Sequence, residues 1–130
     1  MRADCHMHTY FSGDSEAKPE DMVLAAIDKG LEAICFTDHE DIDYFCDDIE
    51  FVFDPETYFK ELGALKEKYK EKLDIRIGVE FGLQPHLAKK AKAFTVANPY
   101  DFVIGSMHVV GGKDPYYPEF FEGISDEEAY

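Results

Sequence analysis

The chain has 130 residues, the size of one small domain, and its 13 Lys and Arg face 28 Asp and Glu, a net charge of −15. This acidic balance, without clustered Lys and Arg, argues against a groove for nucleic acid or for anionic lipid. With 45% hydrophobic and 15% aromatic residues, the chain has enough apolar material for a folded core. No apolar run reaches the roughly 18–20 residues that cross a bilayer, and the first residues lack the apolar stretch of a signal peptide. We therefore expect a soluble, cytoplasmic protein.

Helix and strand patterns alternate along the chain. Pro19, with Glu20 and Asp21 behind it, suits the first turn of a helix, and Gly30 closes the same helix. The predicted elements, in chain order, are a strand over 3–7, a helix over 19–30, a strand over 33–37, a helix from Asp54 to about Lys72, a strand over 74–81, a helix over about 86–94 and a strand over 102–108. Apolar strands separated by helices are typical of βαβ units, so the fold class is α/β with a parallel sheet in a single domain.

The three cysteines, Cys5, Cys35 and Cys46, form neither an even set nor a Cys-x-x-Cys pair. A disulfide framework or a zinc knuckle is therefore not predicted. Cys5 and Cys35 fall inside predicted strands, where we expect them to be small core residues without a catalytic role.

The last residues predict a helix that the chain does not complete. Ser125-Asp126-Glu127-Glu128 has the serine and the glutamate of a capping box, and the sequence ends two residues later. So short a helix is not stable alone, because roughly 12–15 residues are marginal even for good helix formers. We expect the chain to be the front part of a longer protein.

Histidines and carboxylates gather at the ends of the predicted strands. The side chains of His6 and His8 project from the same face, since they lie two residues apart. Parallel strands share one direction, so all these strand ends meet at the carboxyl edge of the sheet, where α/β proteins place their active sites. The candidate ligands at that edge are His6, His8, Asp38, His39, Glu80 and His108. Asp14, in the loop after the first strand, is either a further oxygen ligand or a turn residue, and His86 is interpreted as a surface residue.

This mixture of imidazole and carboxylate suits zinc, iron or manganese better than calcium or magnesium. The candidates are too many for one ion, so we expect at least two, with Glu80 able to bridge them. Such a pair of ions is typical of hydrolysis, in which a hydroxide held between the metals attacks the substrate. No separate catalytic residue is assigned.

The motifs at these positions resemble the PHP (polymerase and histidinol phosphatase) superfamily. They are Asp4-Cys5-His6-Met7-His8-Thr9, Thr37-Asp38-His39, Gly78-Val79-Glu80 and Asp101-Phe102-Val103-Ile104-Gly105-Ser106-Met107-His108. Within the superfamily the histidinol-phosphatase branch is the most similar, on the strength of Phe11-Ser12-Gly13-Asp14-Ser15, Gly78-Val79-Glu80-Phe81-Gly82 and Asp114-Pro115-Tyr116-Tyr117. The resemblance implies a distorted barrel of about seven βα units, of which this chain would supply about four.

The resemblance also implies a ligand set and a reaction. His6 and His8 would bind one ion, Glu80 would bridge it to a second ion held by His108, and Asp14 and His39 would bind a third. Asp38 is better interpreted as a partner that orients a ligand from outside the coordination sphere. The implied reaction is hydrolysis of L-histidinol phosphate to L-histidinol and phosphate, in histidine biosynthesis.

The chain departs from the family in its length. The remaining metal ligands and the arginine that grips the phosphate belong to the second half of family members, which this sequence lacks. Half of a barrel would leave a strand edge without a neighbour, so we expect self-association. The residues that bind substrate are not assigned, although Tyr10, Phe11 and the acidic loop from Glu40 to Asp48 are candidates.

Three alternatives stay open at this point. One is a PHP phosphoesterase that acts on another phosphorylated substrate, such as a nucleotide. Another is a metal-dependent amidohydrolase, which also opens with His-x-His, although Thr37-Asp38-His39 favours PHP. The last is a fragment that binds metal, or only folds and associates, without catalysis.

Overall fold

The computed structural model describes residues 2–44 and 50–129. Its strands are β1 (Ala3–Asp4), β2 (Ala33–Phe36), β3 (His39–Glu40), β4 (Asp74–Gly82) and β5 (Phe102–Ser106). Its helices are α1 (Pro19–Asp28), α2 (Pro55–Tyr69), α3 (Ala88–Ala97) and α4 (Asp126–Ala129), with short 3₁₀ turns at Pro85–Leu87 and Pro118–Phe120. No helix in the described part of the chain is long and apolar enough to cross a membrane.

All paired strands of the sheet run parallel. β1 pairs with β2, β2 and β3 both pair with β4, and β5 pairs with β4. The helices follow strands along the chain, as the sequence predicts for βαβ units. The carboxyl ends of the strands therefore lie together at one edge.

β2 and β3 behave as one strand with a break at Thr37 and Asp38. The spacing along the chain that pairs Ala33 with Asp74 also pairs His39 with Glu80, so the register survives the break. The amide of Glu80 donates to the carbonyl oxygen of Asp38, 3.0 Å away, and holds the gap against β4. The sequence predicts one strand that ends at Thr37. The structure adds the short strand β3 beyond it, which the sequence did not predict.

The helix boundaries follow local sequence signals. α1 begins at Pro19 and ends before Gly30, whose φ of +69° suits glycine. The amide of Gly30 donates to Ile27 and that of Leu31 donates to Ala26, which satisfies the last carbonyl oxygens of the helix. α2 is capped by Asp54, whose carboxylate accepts from the amide of Thr57 at 2.9 Å.

The core lies between the sheet and helices α1 and α2. Its buried apolar residues are Val23, Ala26, Ile34, Phe36, Tyr58, Leu62, Leu65, Leu73, Ile75 and Ile77. β4 approaches its neighbours so closely at Gly78 that an added Cβ would lie 2.7 Å from the carbonyl oxygen of Phe102. This packing fixes β4, which carries Glu80, in the middle of the sheet.

Several predicted boundaries are wrong. The first strand is shorter than residues 3–7, because β1 ends at Asp4, and the last ends at Ser106 rather than His108. Cys5 is exposed and not a core residue, since it lies beyond β1 at the edge of the sheet, whereas Cys35 is buried as predicted. Cys46 lies outside the described residues.

The third predicted helix, over about 86–94, also differs. It begins as a 3₁₀ turn at Pro85 and becomes α-helical over Ala88–Ala97. His86 is exposed, as predicted, and its Nε2 lies 3.0 Å from Asp43 Oδ2. The capping box is present: the carboxylate of Glu128 accepts from both the amide and the hydroxyl of Ser125, each at 2.9 Å.

Candidate metal centre

Glu80 stands at the centre of the site, near the end of β4, and is 3% exposed. Its Oε2 lies 2.7 Å from His6 Nε2 and 2.9 Å from His8 Nε2. Its Oε1 lies 3.1 Å from His108 Nε2 and accepts a hydrogen bond from the hydroxyl of Ser106 at 2.7 Å. The two oxygens of one carboxylate thus face different histidines.

Asp14 reaches the same edge from the loop after the first strand. Its Oδ2 lies 3.0 Å from His8 Nδ1 and 3.5 Å from His39 Nε2. The sequence left Asp14 open between a ligand and a turn residue, and the structure places its carboxylate between two histidines.

The candidate side chains form three overlapping groups whose ligand atoms lie within 4.8 Å of one another. They are His6 with His8 and Glu80, His8 with Asp14 and His39, and His39 with Glu80 and His108. All six ligands expected from the resemblance are therefore brought together. Each group mixes imidazole nitrogen with carboxylate oxygen, the donors that suit zinc, manganese or iron.

The charges of the site are strongly coupled. Burial acts to raise the pKa of Glu80, but hydrogen bonds from His108, His8, Ser106 and His6 outweigh it and hold that pKa well below its ordinary value. Hydrogen bonding to Glu80 raises the pKa of His8 to about 9, against the effect of burial. The pKa of His108 is raised to about 10, because its ring bonds to Asp41 and then to Glu80. The carboxylates of this edge thus favour positive charge beside them, whether carried by a proton or by a cation.

Asp38 is fully buried below the histidines. Its Oδ1 accepts from both the amide of Thr9, at 2.5 Å, and the hydroxyl of Thr9, at 2.9 Å. Its Oδ2 makes no hydrogen bond within the described chain. Burial raises the pKa of this carboxyl. Asp38 therefore fixes Thr9, the residue that follows His8, through both its amide and its hydroxyl.

Asp41 belongs to the site, although the sequence analysis included it only within the acidic loop and did not single it out. It is 7% exposed, and its carboxylate lies 2.9 Å from both His39 Nδ1 and His108 Nδ1. The available signal was its position two residues after His39, because side chains two residues apart in extended backbone project from the same side.

An aromatic cleft of about 480 Å³ opens beside the histidines. It is lined by Asp14, His39, Asp41, Tyr44, Phe51, His108, Asp114, Tyr116 and Tyr117. The earlier candidates Tyr10 and Phe11 are not among these residues, because Phe11 packs edge-on against Tyr58 and Tyr10 bonds to Glu61. Of the acidic loop, Asp41 and Tyr44 line the cleft, and positions 45–49 lie outside the described residues.

A parallel α/β sheet with histidines and carboxylates converging at its carboxyl edge defines an α/β protein with a candidate metal centre. The PHP domain model matches residues 4–130. The chain belongs to the PHP domain family, and its fold is the partial PHP barrel expected from the sequence.

Two named relatives are similar to the chain over nearly its whole length. The chain is 37% identical over 129 residues to the histidinol-phosphatase of Lactococcus lactis, covering 98% of this chain and 47% of that protein. It is 33% identical over 130 residues to a probable histidinol-phosphatase of Clostridium acetobutylicum, covering all of this chain and 48% of that protein. The chain thus spans about half the length of the curated relatives it matches.

A solved structure shows the same similarity. The crystal structure of histidinol phosphate phosphatase from Lactococcus lactis, complexed with zinc, L-histidinol and phosphate, superposes with a TM-score of 0.90 at 37% identity. The match covers 98% of this chain and 48% of that chain.

Proposed function

We propose that the protein is a metal-dependent phosphomonoesterase that hydrolyses L-histidinol phosphate to L-histidinol and phosphate. The observation that carries this proposal is the similarity, over nearly the whole chain, to a histidinol phosphate phosphatase solved with zinc, L-histidinol and phosphate. The convergence of six nitrogen and oxygen ligands on one edge supports it.

The site would hold two to three divalent ions of zinc, manganese or iron. His6 and His8 would hold one, with Glu80 bridging it to a second at His108, and Asp14 and His39 would hold a third. Supporting this division, Glu80 directs Oε2 towards His6 and His8 and Oε1 towards His108. The residues fit such ions, because each group offers both imidazole and carboxylate donors within 4.8 Å.

Bound divalent ions supply charge neutralisation for the phosphoryl group and lower the pKa of water. The chain's own residues prepare the place where this happens. Glu80 carries negative charge in a nearly buried position, and the hydrogen bond from the Ser106 hydroxyl helps to fix its orientation. Asp38 fixes Thr9 and so the segment that presents His8.

The test is phosphate release from L-histidinol phosphate by the 130-residue chain supplied with zinc or manganese. His8→Ala removes a ligand that contacts both Glu80 and Asp14. His86→Ala is the matched control, since that histidine is exposed and pairs with Asp43 outside the site. Turnover in the wild type and in His86→Ala, together with its loss in His8→Ala, would support the proposal.

Two other results separate the alternatives. Faster phosphate release from nucleoside monophosphates than from L-histidinol phosphate would assign a different substrate. Stoichiometric metal uptake, abolished in His8→Ala, without release of phosphate from either substrate would make the chain a metal-binding protein that does not catalyse.

We also propose that copies of this chain associate through β5. β5 has one partner among the described strands, β4, and its other edge is unpaired there. Phe102, Val103 and Met107 on and beside it are exposed by 46%, 41% and 72%. An unpaired strand edge with apolar side chains favours pairing with another chain.

Light scattering after size-exclusion chromatography tests this association. Val103→Lys places a charge on the edge strand, and Val96→Lys is the matched control because Val96 is 77% exposed on α3. We expect an oligomer for the wild type and for Val96→Lys and a monomer for Val103→Lys. A wild type that stays monomeric at all concentrations would contradict the proposal.

A further inference from the structure

Asp41 is shared by two histidines of the site. Both of its carboxylate oxygens lie 2.9 Å from His108 Nδ1 in hydrogen-bond geometry. Its Oδ2 also lies 2.9 Å from His39 Nδ1, although this contact is not aligned as a hydrogen bond. One buried carboxylate therefore faces the Nδ1 side of both rings.

The other nitrogen of each ring faces the candidate ligand groups. Nε2 of His108 lies 3.1 Å from Glu80 Oε1, and Nε2 of His39 lies 3.5 Å from Asp14 Oδ2. A carboxylate at one ring nitrogen selects the tautomer that carries the proton there and leaves the other nitrogen free to bind metal. Asp41 is placed to do this for two histidines, which share one candidate group with Glu80.

The chain makes room for this carboxylate in β4. At Gly82, an added Cβ would lie 1.6 Å from Asp41 Oδ1, so any larger residue would displace the carboxylate or the strand. The backbone of Asp41 is fixed as well, because its amide donates to the carbonyl oxygen of Phe51 at 2.6 Å. The position of Asp41 is thus determined from two sides.

We propose that Asp41 is a positioning residue that holds the Nδ1 atoms of His39 and His108, so that the Nε2 atoms of both rings are presented to metal. The inference rests on the ligand set of the proposed function and is independent of the substrate. Asp41 itself is not a metal ligand in this assignment.

Zinc affinity, measured by competition with a chromophoric chelator, is the first test. Asp41→Asn removes the charge and offers an amide N–H to Nδ1, and we expect affinity to fall about 10- to 100-fold. Asp41→Glu restores a carboxylate and is expected to recover part of the loss. Asp43→Asn is the matched control, because Asp43 is exposed, pairs with His86 and should leave the affinity unchanged.

Nitrogen-15 spectra of histidine in the zinc-loaded protein supply a readout that a merely structural role would not move. We expect the Nδ1 signals of His39 and His108 to be those of protonated nitrogens in the wild type, and both signals to be lost or shifted in Asp41→Asn. Gly82→Ala keeps Asp41 but adds a Cβ where its carboxylate lies, so this variant should also weaken zinc binding. It provides a second test if Asp41→Asn does not fold.

Wild-type zinc affinity in folded Asp41→Asn, or in folded Gly82→Ala, would overturn the inference. A wild-type chain that takes up no zinc would overturn it together with the ligand set. A chain that binds zinc, loses affinity in Asp41→Asn and releases no phosphate would support the inference while contradicting only the proposed function.

Discussion

The hydroxyl of Tyr58 donates a hydrogen bond to the carbonyl oxygen of Gly78, 3.2 Å away, in the interior of the protein. The same hydroxyl accepts from the amide of Asp38 at 3.4 Å. Tyr58 is fully buried on α2 and therefore ties the break between β2 and β3 to β4, two residues before Glu80. Tyr58 thus links the core to the backbone on either side of the candidate metal centre.

Tyr58→Phe should destabilise the protein by about 1–3 kcal/mol, because two buried backbone groups lose their partner. Urea unfolding followed by circular dichroism measures the loss. Tyr69→Phe is the control, since the Tyr69 hydroxyl bonds to Glu20 near the surface and its removal should change the free energy of unfolding much less than Tyr58→Phe does. Equal effects of the two substitutions would contradict this role for Tyr58.

Gly63→Ala should stabilise the protein by about 0.5–1 kcal/mol. Gly63 lies inside α2, and a Cβ there would meet no atom within 4 Å, so alanine gains helix propensity without a clash. Gly78→Ala is the comparison and should destabilise the protein, because its Cβ would lie 2.7 Å from a backbone oxygen. The midpoint temperature of thermal unfolding should rise for Gly63→Ala and fall for Gly78→Ala. A shift in the same direction for both variants would contradict the close packing described at Gly78.

The cysteines should differ in reactivity. Cys5 is exposed, whereas Cys35 is 1% exposed and burial raises the pKa of its thiol to about 12. Iodoacetamide at pH 8, followed by peptide mass spectrometry, should modify Cys5 in the folded protein and Cys35 only in denaturant. Labelling of both at the same rate under native conditions would show that β2 is not buried.

Asp101 should contribute a stability term that depends on pH. Burial acts to raise the pKa of its carboxyl, but hydrogen bonds from the amide of Ile77 and from Lys66 hold that pKa below its ordinary value. A carboxyl with a lower pKa in the folded state stabilises the protein above its unfolded pKa of about 4 and loses this contribution as the pH falls. Asp101→Asn should therefore cost about 1 kcal/mol at pH 7, with a difference from the wild type that narrows below pH 4. A difference that stays constant down to pH 3 would contradict this.

Local signals in the sequence were enough to predict the first two helices and the alternation of strands and helices along the chain. Pro19, Gly30 and Asp54 act through contacts within a few residues, so their effects can be read from neighbouring letters. The convergence of His6, His8, Glu80 and His108 also followed from the sequence, because parallel strands end at one edge.

Features that depend on distant contacts could not be predicted in this way. The short β3 exists because β4 pairs with it across the break, which no local pattern announces. The exposure of Cys5 depends on where β1 ends at the edge of the sheet. The role inferred for Asp41 needs Gly82 in a different strand, and that relation becomes visible only when the strands are side by side.

The break between β2 and β3 also limits how this chain can change over generations. Successive side chains of a strand alternate between faces, so one residue inserted between Phe36 and His39 would turn the imidazole of His39 away from its neighbour Glu80. Substitutions at Thr37 or Asp38 alter a side chain, whereas a change of length there removes a histidine from the centre. Lineages of this protein should therefore keep the length of this link between β2 and β3.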